Sequence, residues 1–152
     1  MGLDARVLYY FNAGGVTPAM AVSRAGAGSD YALAVLDGKK QAFDGSKTYK
    51  LHLPSNVPVN DFWAVTLYDT QTRSQLQTSQ KFPTLGSQSE GIQKNADGSY
   101  DLYFGPKPPA GKAGNWLATV PGKSWFTILR MYGPLEPWIN KTWRPSGIEL
   151  VK

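Results

Sequence analysis

Residues 124–132 read SWFTILRMY and form the longest of three segments that are apolar at both odd and even positions. The segments 31–36 (YALAVL) and 62–68 (FWAVTLY) have the same character. Aromatic and β-branched residues favour strands, and a strand with two apolar faces is typical of the middle of a sheet. The sequence therefore predicts three strands that lie near the middle of a sheet.

Two further segments, 47–53 and 99–104, alternate between apolar and polar residues, as half-buried antiparallel strands do. Sixteen glycines and eleven prolines divide the chain at short intervals. Only two short helices are predicted, over 4–11 and 134–140. We therefore expect an all-β, mainly antiparallel fold, a jelly-roll-like β-sandwich with one or two short helices. The predicted core includes Trp63, Trp125 and Leu129.

The chain has 152 residues, no cysteine and one histidine. This length fits a single domain over 1–152, in which 1–15 is a helical lead-in and 16–152 is the sandwich. The absence of cysteine excludes disulfides, thiolate metal sites and a cysteine nucleophile, and a single histidine excludes any site that needs two imidazoles. We therefore predict no metal site and no cofactor.

The net charge of +5 lies in the last third of the chain. Residues 1–105 hold nine basic and nine acidic side chains, whereas 106–152 hold seven basic, two acidic and four of the five tryptophans. Basic and aromatic residues together can indicate nucleic-acid binding. The cations are spread singly, however, and the tryptophans suit core positions. No nucleic-acid partner is predicted.

The apolar segments are far shorter than the roughly 20 residues of a membrane helix, so no membrane span is predicted. The first residues, MGLDAR, lack the apolar run of a signal peptide. As it stands, the chain is expected in the cytoplasm, and its compartment stays open.

Two short motifs resemble functional elements without having their context. Gly122-Lys123-Ser124 leads into a predicted strand, whereas a phosphate-binding loop leads into a helix. His52 is the only imidazole and lies on the polar side of a predicted strand, and no G-x-S-x-G element offers an activated serine. We interpret His52 as a surface residue and name no catalytic residue.

The turn at 70–72 is flanked by opposite charges, Asp69 and Arg73. Such a pair favours a local brace across the turn, and the structural interpretation is preferred here to a binding site. Arg73 is nevertheless kept among the candidates for ligand binding.

Arg130 is the charged residue of the strand predicted over 124–132, where it shares a face with Ile128 and Tyr132. A buried guanidinium must be paired, be hydrogen-bonded or face a pocket. Either Arg130 reaches a strand end and pairs with an acid, or it anchors a carboxylate or another anion in a pocket with aromatic walls. The candidate ligand-binding residues are Arg130, Tyr132, Trp138 and Arg73.

Most of the chain resembles the bacterial family called domain of unknown function 1214. The resemblance rests on DGSKTYKLHLP (44–54), FWAVTLYDTQTRSQLQT (62–78) and the long block from NADGSYDLYFG to RPSGIE (95–149). The family implies a jelly-roll β-sandwich at the C-terminal end of larger proteins, usually preceded by domain of unknown function 1254. Many members carry export signals, which makes a periplasmic or exported location plausible. The family supplies no agreed catalytic residues.

Two functions from different classes remain open. The first is a non-catalytic β-sandwich module that binds a small anionic or polymeric ligand, packs against another domain or self-associates. The second is part of a hydrolase-like enzyme whose active site is completed by a missing N-terminal domain. One histidine and no cysteine leave few conventional catalytic groups, which favours the first. Whether the chain is an enzyme is left undecided by the sequence.

Overall fold

A computed structural model describes Ala5, Val7, Leu8 and residues 21–151. Between 21 and 151 it contains nine strands, one short α-helix, α1 (Glu136–Ile139), and one 3-10 turn, Ala113–Asn115. The strands are β1 (Ser29–Ala34), β2 (Phe43–Asp44), β3 (Tyr49–Leu53), β4 (Trp63–Asp69), β5 (Thr84–Gly86), β6 (Tyr100–Gly105), β7 (Trp116–Ala118), β8 (Ser124–Tyr132) and β9 (Ile148–Leu150).

The strands form two sheets. The first sheet has the order β1-β8-β4-β5, with β2 also paired to β8, and the second has the order β7-β6-β3-β9. All pairs are antiparallel except β6 with β7. The all-β, mainly antiparallel fold class predicted from the sequence is confirmed, whereas the jelly-roll connection stays a prediction.

The two sheets pack face to face through aromatic rings. Trp125 of the first sheet stacks on Phe43 at 4.3 Å between ring centroids. It also meets two rings of the second sheet, Tyr49 at 5.7 Å and Phe104 at 5.2 Å. Burial of such large rings dominates the energetics of a core. The predicted core residues Trp63, Trp125 and Leu129 are all buried, which confirms that part of the prediction.

Strand β8 shows why the alternation along the sequence matters. Its odd-numbered residues, from Trp125 to Met131, are buried between the sheets, and its even-numbered residues are half-buried on the opposite side. β8 and β4 lie inside the first sheet, as predicted. The predicted central position of 31–36 is wrong, because β1 (Ser29–Ala34) lies at the edge of that sheet. Ala32 and Ala34 of β1 pack against the core, whereas Tyr31 and Leu33 are exposed.

The second predicted helix, over 134–140, is shorter than the sequence suggests. α1 covers Glu136–Ile139 only. Leu135, which precedes it with extended backbone, is 37% exposed. The predicted lead-in helix lies mostly outside the described residues, of which Ala5, Val7 and Leu8 are helical.

Candidate functional site

The side of the first sheet that faces away from the core, called the outer face below, is largely apolar. Strand pairing places Tyr31 beside Arg130 and Leu33 beside Ile128 on this face. Tyr68 lies beside Phe126 in the same way, and Phe62 stacks on Tyr132 at 4.1 Å. The outer face consists of Ser29, Tyr31, Leu33, Asp44, Phe62, Ala64, Thr66, Tyr68, Thr84, Gly86, Ser124, Phe126, Ile128, Arg130 and Tyr132.

The second sheet provides an internal comparison. Its outward positions carry four charged or polar side chains, Lys50, His52, Asp101 and Glu149, beside the rings of Tyr103 and Trp116. An antiparallel sheet with one wet face normally alternates between apolar inside and polar outside, and the second sheet follows this rule. The first sheet departs from it, because Arg130 and, at the end of β2, Asp44 are the two charged residues among the described strand positions of its outer face.

Arg130 is held by tyrosines. Its Nη2 donates a hydrogen bond to the Tyr68 hydroxyl at 2.7 Å, and its guanidinium lies 5.8 Å from the centre of the Tyr31 ring. The Tyr132 hydroxyl raises the pKa of Arg130 above its ordinary value, against the opposing effect of partial burial. Among the described residues, no carboxylate forms an ion pair with Arg130, and its buried Nε has no hydrogen-bond partner.

The four sequence candidates do not form one site. Arg130 and Tyr132 lie two residues apart on the outer face, not inside the sandwich. Trp138 lies on α1 and donates from Nε1 to Asp30 Oδ2 at 3.0 Å. Arg73 lies in the turn after β4 with a left-handed backbone (φ 62), and its Nε donates to the Thr70 carbonyl.

A groove runs along the side of the sandwich where β1 and β9 are the edge strands of the two sheets; it is called the edge groove below. It contains two adjoining cavities, an inner slot of about 220 Å³ and an outer basin of about 460 Å³. Both cavities are lined by Ala32 and Pro145, so they meet at these residues. Trp138 lines the outer basin, whereas Arg130 and Tyr132 line neither cavity. No sequence pattern predicts this groove, because its walls come from segments far apart in the chain.

His52 has a partner that the sequence did not reveal. Its Nδ1 lies 2.7 Å from Asp101 Oδ1, directly across the β3–β6 pair. Ser146 is near, but its Oγ accepts from the backbone N–H of His52 and donates to the Gly147 carbonyl. The histidine and the aspartate are thus in hydrogen-bond contact, while the serine hydroxyl is engaged with backbone groups instead of the ring.

The described residues contain no cluster of three or more histidine, cysteine, aspartate or glutamate side chains that could hold a metal ion. Within the same part of the chain, no helix is long and apolar enough to cross a membrane.

These features define a class of protein, a two-sheet, mainly antiparallel β-sandwich with one polar and one apolar outer face. Within that class, the chain belongs to the family described as protein of unknown function DUF1214, whose model matches residues 28–136. This confirms the family resemblance seen in the sequence. No protein with a curated description matches the chain.

Two solved structures share the fold. The VPA0106 protein from Vibrio parahaemolyticus is 25% identical with a TM-score of 0.70, over 82% of this chain and 31% of that one. A putative uncharacterized protein from Burkholderia cenocepacia is 18% identical with a TM-score of 0.52, over 85% of this chain and 32% of that one. This chain thus spans about a third of the length of either solved chain.

Proposed function

We propose that this β-sandwich is a non-catalytic docking module whose outer face packs against a second folded domain of the same polypeptide. The observation that carries the proposal is the exposure of apolar side chains on that face, where Tyr31 is 60% and Leu33 63% exposed. Contiguous apolar surface of this kind on a soluble domain usually marks an interaction site.

The position of β1 supports the same function. As the edge strand of the first sheet, β1 has one side that pairs with no other described strand. Edge strands of soluble proteins normally carry charges or prolines that discourage further pairing. β1 instead reads Ser-Asp-Tyr-Ala-Leu-Ala and has its one charge, Asp30, at the second position. An apolar strand at an edge is compatible with solubility when another domain covers it.

Arg130 indicates the chemistry of the covering surface. Its guanidinium is surrounded by tyrosines, its buried Nε lacks a partner among the described residues, and its planar fork suits a carboxylate. We expect the second domain to present an aspartate or glutamate to Arg130, surrounded by apolar side chains. The length of the two solved chains, about three times the matched part, leaves room for such a domain in proteins of this fold.

The hydrolase alternative has one observation in its favour, the contact between His52 and Asp101. A second domain that brought a nucleophile to the free side of the imidazole would complete a triad. The contact between His52 and Asp101 lies on the second sheet, however, whereas the exposed apolar side chains lie on the outer face of the first sheet. The docking function therefore accounts for more of the described surface.

The absence of cysteine from the chain allows a direct test. Leu33→Cys places a single thiol on the outer face, and Glu149→Cys places one on the exposed outward side of β9 as a matched control. Each variant is made in two forms, the protein as its gene encodes it and the 152-residue chain alone. Both forms are labelled with a maleimide. We expect labelling at position 33 to be at least about tenfold slower in the encoded protein, with position 149 unchanged.

Two outcomes would contradict the proposal. Equal labelling of position 33 in both forms would mean that no second domain covers the outer face. Protection of position 33 in the chain alone, increasing with protein concentration, would show that a second copy of this chain is the occupant. In the encoded protein, Arg130→Lys retains the charge without the planar fork, and it should raise the labelling rate at position 33 towards that of the chain alone.

A further inference from the structure

The inner slot of the edge groove opens into the hydrophobic core. Its walls include Leu51 and Ile148 from the second sheet and Val65 and Leu129 from the first. All four belong to the buried core cluster. The sheets thus leave a gap between β1 and β9 in which core side chains line a cavity of about 220 Å³.

The polar side chains of the inner slot already have hydrogen-bond partners within the protein. Thr127 donates to the Thr66 carbonyl, and Asp37 Oδ1 accepts the backbone N–H groups of Lys39 and Gln41. Ser146 is hydrogen-bonded to backbone groups, as described above. A ligand in the inner slot is therefore offered apolar contact and few hydrogen bonds, which suits an alkyl chain better than a sugar or a peptide.

The outer basin has a different chemistry. It is lined by the rings of Trp138 and Trp143, whose centroids are 6.2 Å apart, and by two exposed cations, Lys141 and Arg144. Arg144 Nε donates to the Lys141 carbonyl at 3.3 Å, so the two residues belong to one turn.

The acid in the outer basin, Asp30, is occupied by other groups. Its Oδ2 accepts hydrogen bonds from Trp138 Nε1 at 3.0 Å and from the Ser23 hydroxyl at 2.6 Å. These donors compensate part of its charge and keep it against the wall. The two cations at the rim exceed the one acid, so the basin favours an anion.

We propose that the edge groove binds an anionic amphiphile with a single straight alkyl chain, of the chemical class of medium-chain fatty acids. The alkyl chain lies in the inner slot, and the carboxylate lies in the outer basin between Lys141 and Arg144. The two cavities meet at Ala32 and Pro145, so one extended molecule can occupy both. The site adjoins the outer face, since Leu33 lines the inner slot and Tyr31 lines the outer basin, but its occupation does not require a second domain.

A chain-length series tests the inner slot on the unmodified protein. Acetate, hexanoate, octanoate, decanoate and dodecanoate are titrated below their micellar concentrations, with tryptophan fluorescence and calorimetry as readouts. Each buried methylene contributes about 0.8 kcal/mol, or roughly fourfold in affinity. We expect affinity to rise by about that factor per methylene and to level off once the inner slot is full. An affinity independent of chain length would overturn the proposal.

A headgroup comparison tests the outer basin. We expect decanoate to bind at least about tenfold more tightly than decanol, and Lys141→Gln/Arg144→Gln to remove that preference while decanol binding is retained. Lys81→Gln, a cation that lines neither cavity, is the matched control and should behave as wild type. Equal binding of decanoate and decanol by the unmodified protein would contradict the proposed role of the cations, whether or not the variants fold.

A filling variant locates the ligand. Ala34 lines the inner slot at the end of β1, and Ala34→Leu adds bulk there. This variant should weaken decanoate binding at least about tenfold without affecting acetate. Unchanged decanoate binding in a folded Ala34→Leu protein would show that the alkyl chain lies elsewhere and would overturn the assignment. Should the variant fail to fold, the chain-length series on the unmodified protein decides.

Discussion

Lys123 Nζ lies 3.0 Å from Asp69 Oδ2 and joins the start of β8 to the end of β4. The other carboxylate oxygen of Asp69 accepts the backbone N–H groups of Gln71 at 2.8 Å and Thr72 at 3.1 Å. Together these donors, Lys123 first among them, lower the pKa of Asp69 to about 2. One carboxylate thus closes the turn after β4 and fixes that turn to the neighbouring strand.

The first prediction follows from this lowered pKa. The folded protein favours ionised Asp69, so the carboxylate stabilises the fold at pH values above its ordinary pKa of 3.8 and loses that effect as the pH falls towards about 2. Asp69→Asn should therefore lower the free energy of unfolding at neutral pH. The difference from wild type should shrink as the pH is lowered through this range, as measured by urea unfolding at several pH values.

Glu90 provides the control for this experiment, because it is an exposed acid in the loop after β5. Glu90→Gln should leave stability almost unchanged at neutral pH. A difference between wild type and Asp69→Asn that stays constant from neutral pH to pH 2 would show that the carboxylate acts through its shape and not its charge.

The sequence predicts a brace between Asp69 and Arg73 across the turn. The role of Asp69 in this turn follows from residues next to it in the sequence, whereas the identity of its cation does not. Asp69 does close the turn, because a carboxylate next to a turn finds the backbone N–H groups two and three residues on. Its cation is Lys123, 54 residues away, which only the register of β4 against β8 brings near. The sequence presents Lys123 only as part of Gly122-Lys123-Ser124, ahead of a predicted strand.

The difference between local and long-range contacts also explains why the strands could be predicted from the sequence and the candidate sites could not. The strands in 62–68 and 124–132 were identifiable because period and composition are local properties of the chain. The apolar character of β1 was also evident, but its place at the edge depends on how many strands pair beyond it. The contact of His52 with Asp101 and the edge groove each require the pairing of distant segments, and no pattern within one segment encodes them.

The second prediction concerns His52 and separates the two functions. His52 and Asp101 are both half-exposed partners on the wet side of the second sheet, so their interaction is screened by water. His52→Ala should change the free energy of unfolding by about 0.5 kcal/mol or less. A double-mutant cycle with Asp101→Asn measures the coupling. Both the 152-residue chain and the protein as its gene encodes it are assayed for ester hydrolysis. Loss of such hydrolysis in a folded His52→Ala variant would support the hydrolase alternative.

The third prediction concerns the stability contributed by Arg130 in the chain alone. Arg130→Met removes the charge and the unpaired Nε at similar side-chain length, so it should be neutral or stabilise the fold by up to about 1 kcal/mol. Tyr68→Phe keeps the guanidinium and removes its hydroxyl acceptor, so it should destabilise by about 1 kcal/mol. Denaturant unfolding of both variants is the measurement. If Arg130→Met is strongly destabilised, Arg130 stabilises the fold of this sandwich and is not reserved for an interface.

The last prediction concerns Gly45, which lies between β2 and β3 where two turns meet. Its N–H donates to the Lys123 carbonyl at 2.9 Å, and its own carbonyl accepts from the Thr119 hydroxyl at 2.8 Å. A Cβ at this position would lie 2.1 Å from the Val120 carbonyl oxygen. Backbone atoms on both sides are hydrogen-bonded and cannot move apart without breaking these contacts.

Gly45→Ala should therefore destabilise the protein by about 1–3 kcal/mol, the usual cost of forcing extra volume into a packed site. Gly147 is the matched control, because a Cβ there meets no atom within 4 Å and its backbone is not left-handed. Gly147→Ala should change stability by no more than about 0.5 kcal/mol. Both variants are compared by thermal and urea unfolding. Equal stability of the two would mean that the turn at Gly45 can shift away from Val120, and that the strand β2 is less firmly fixed to β8 than its pairing suggests.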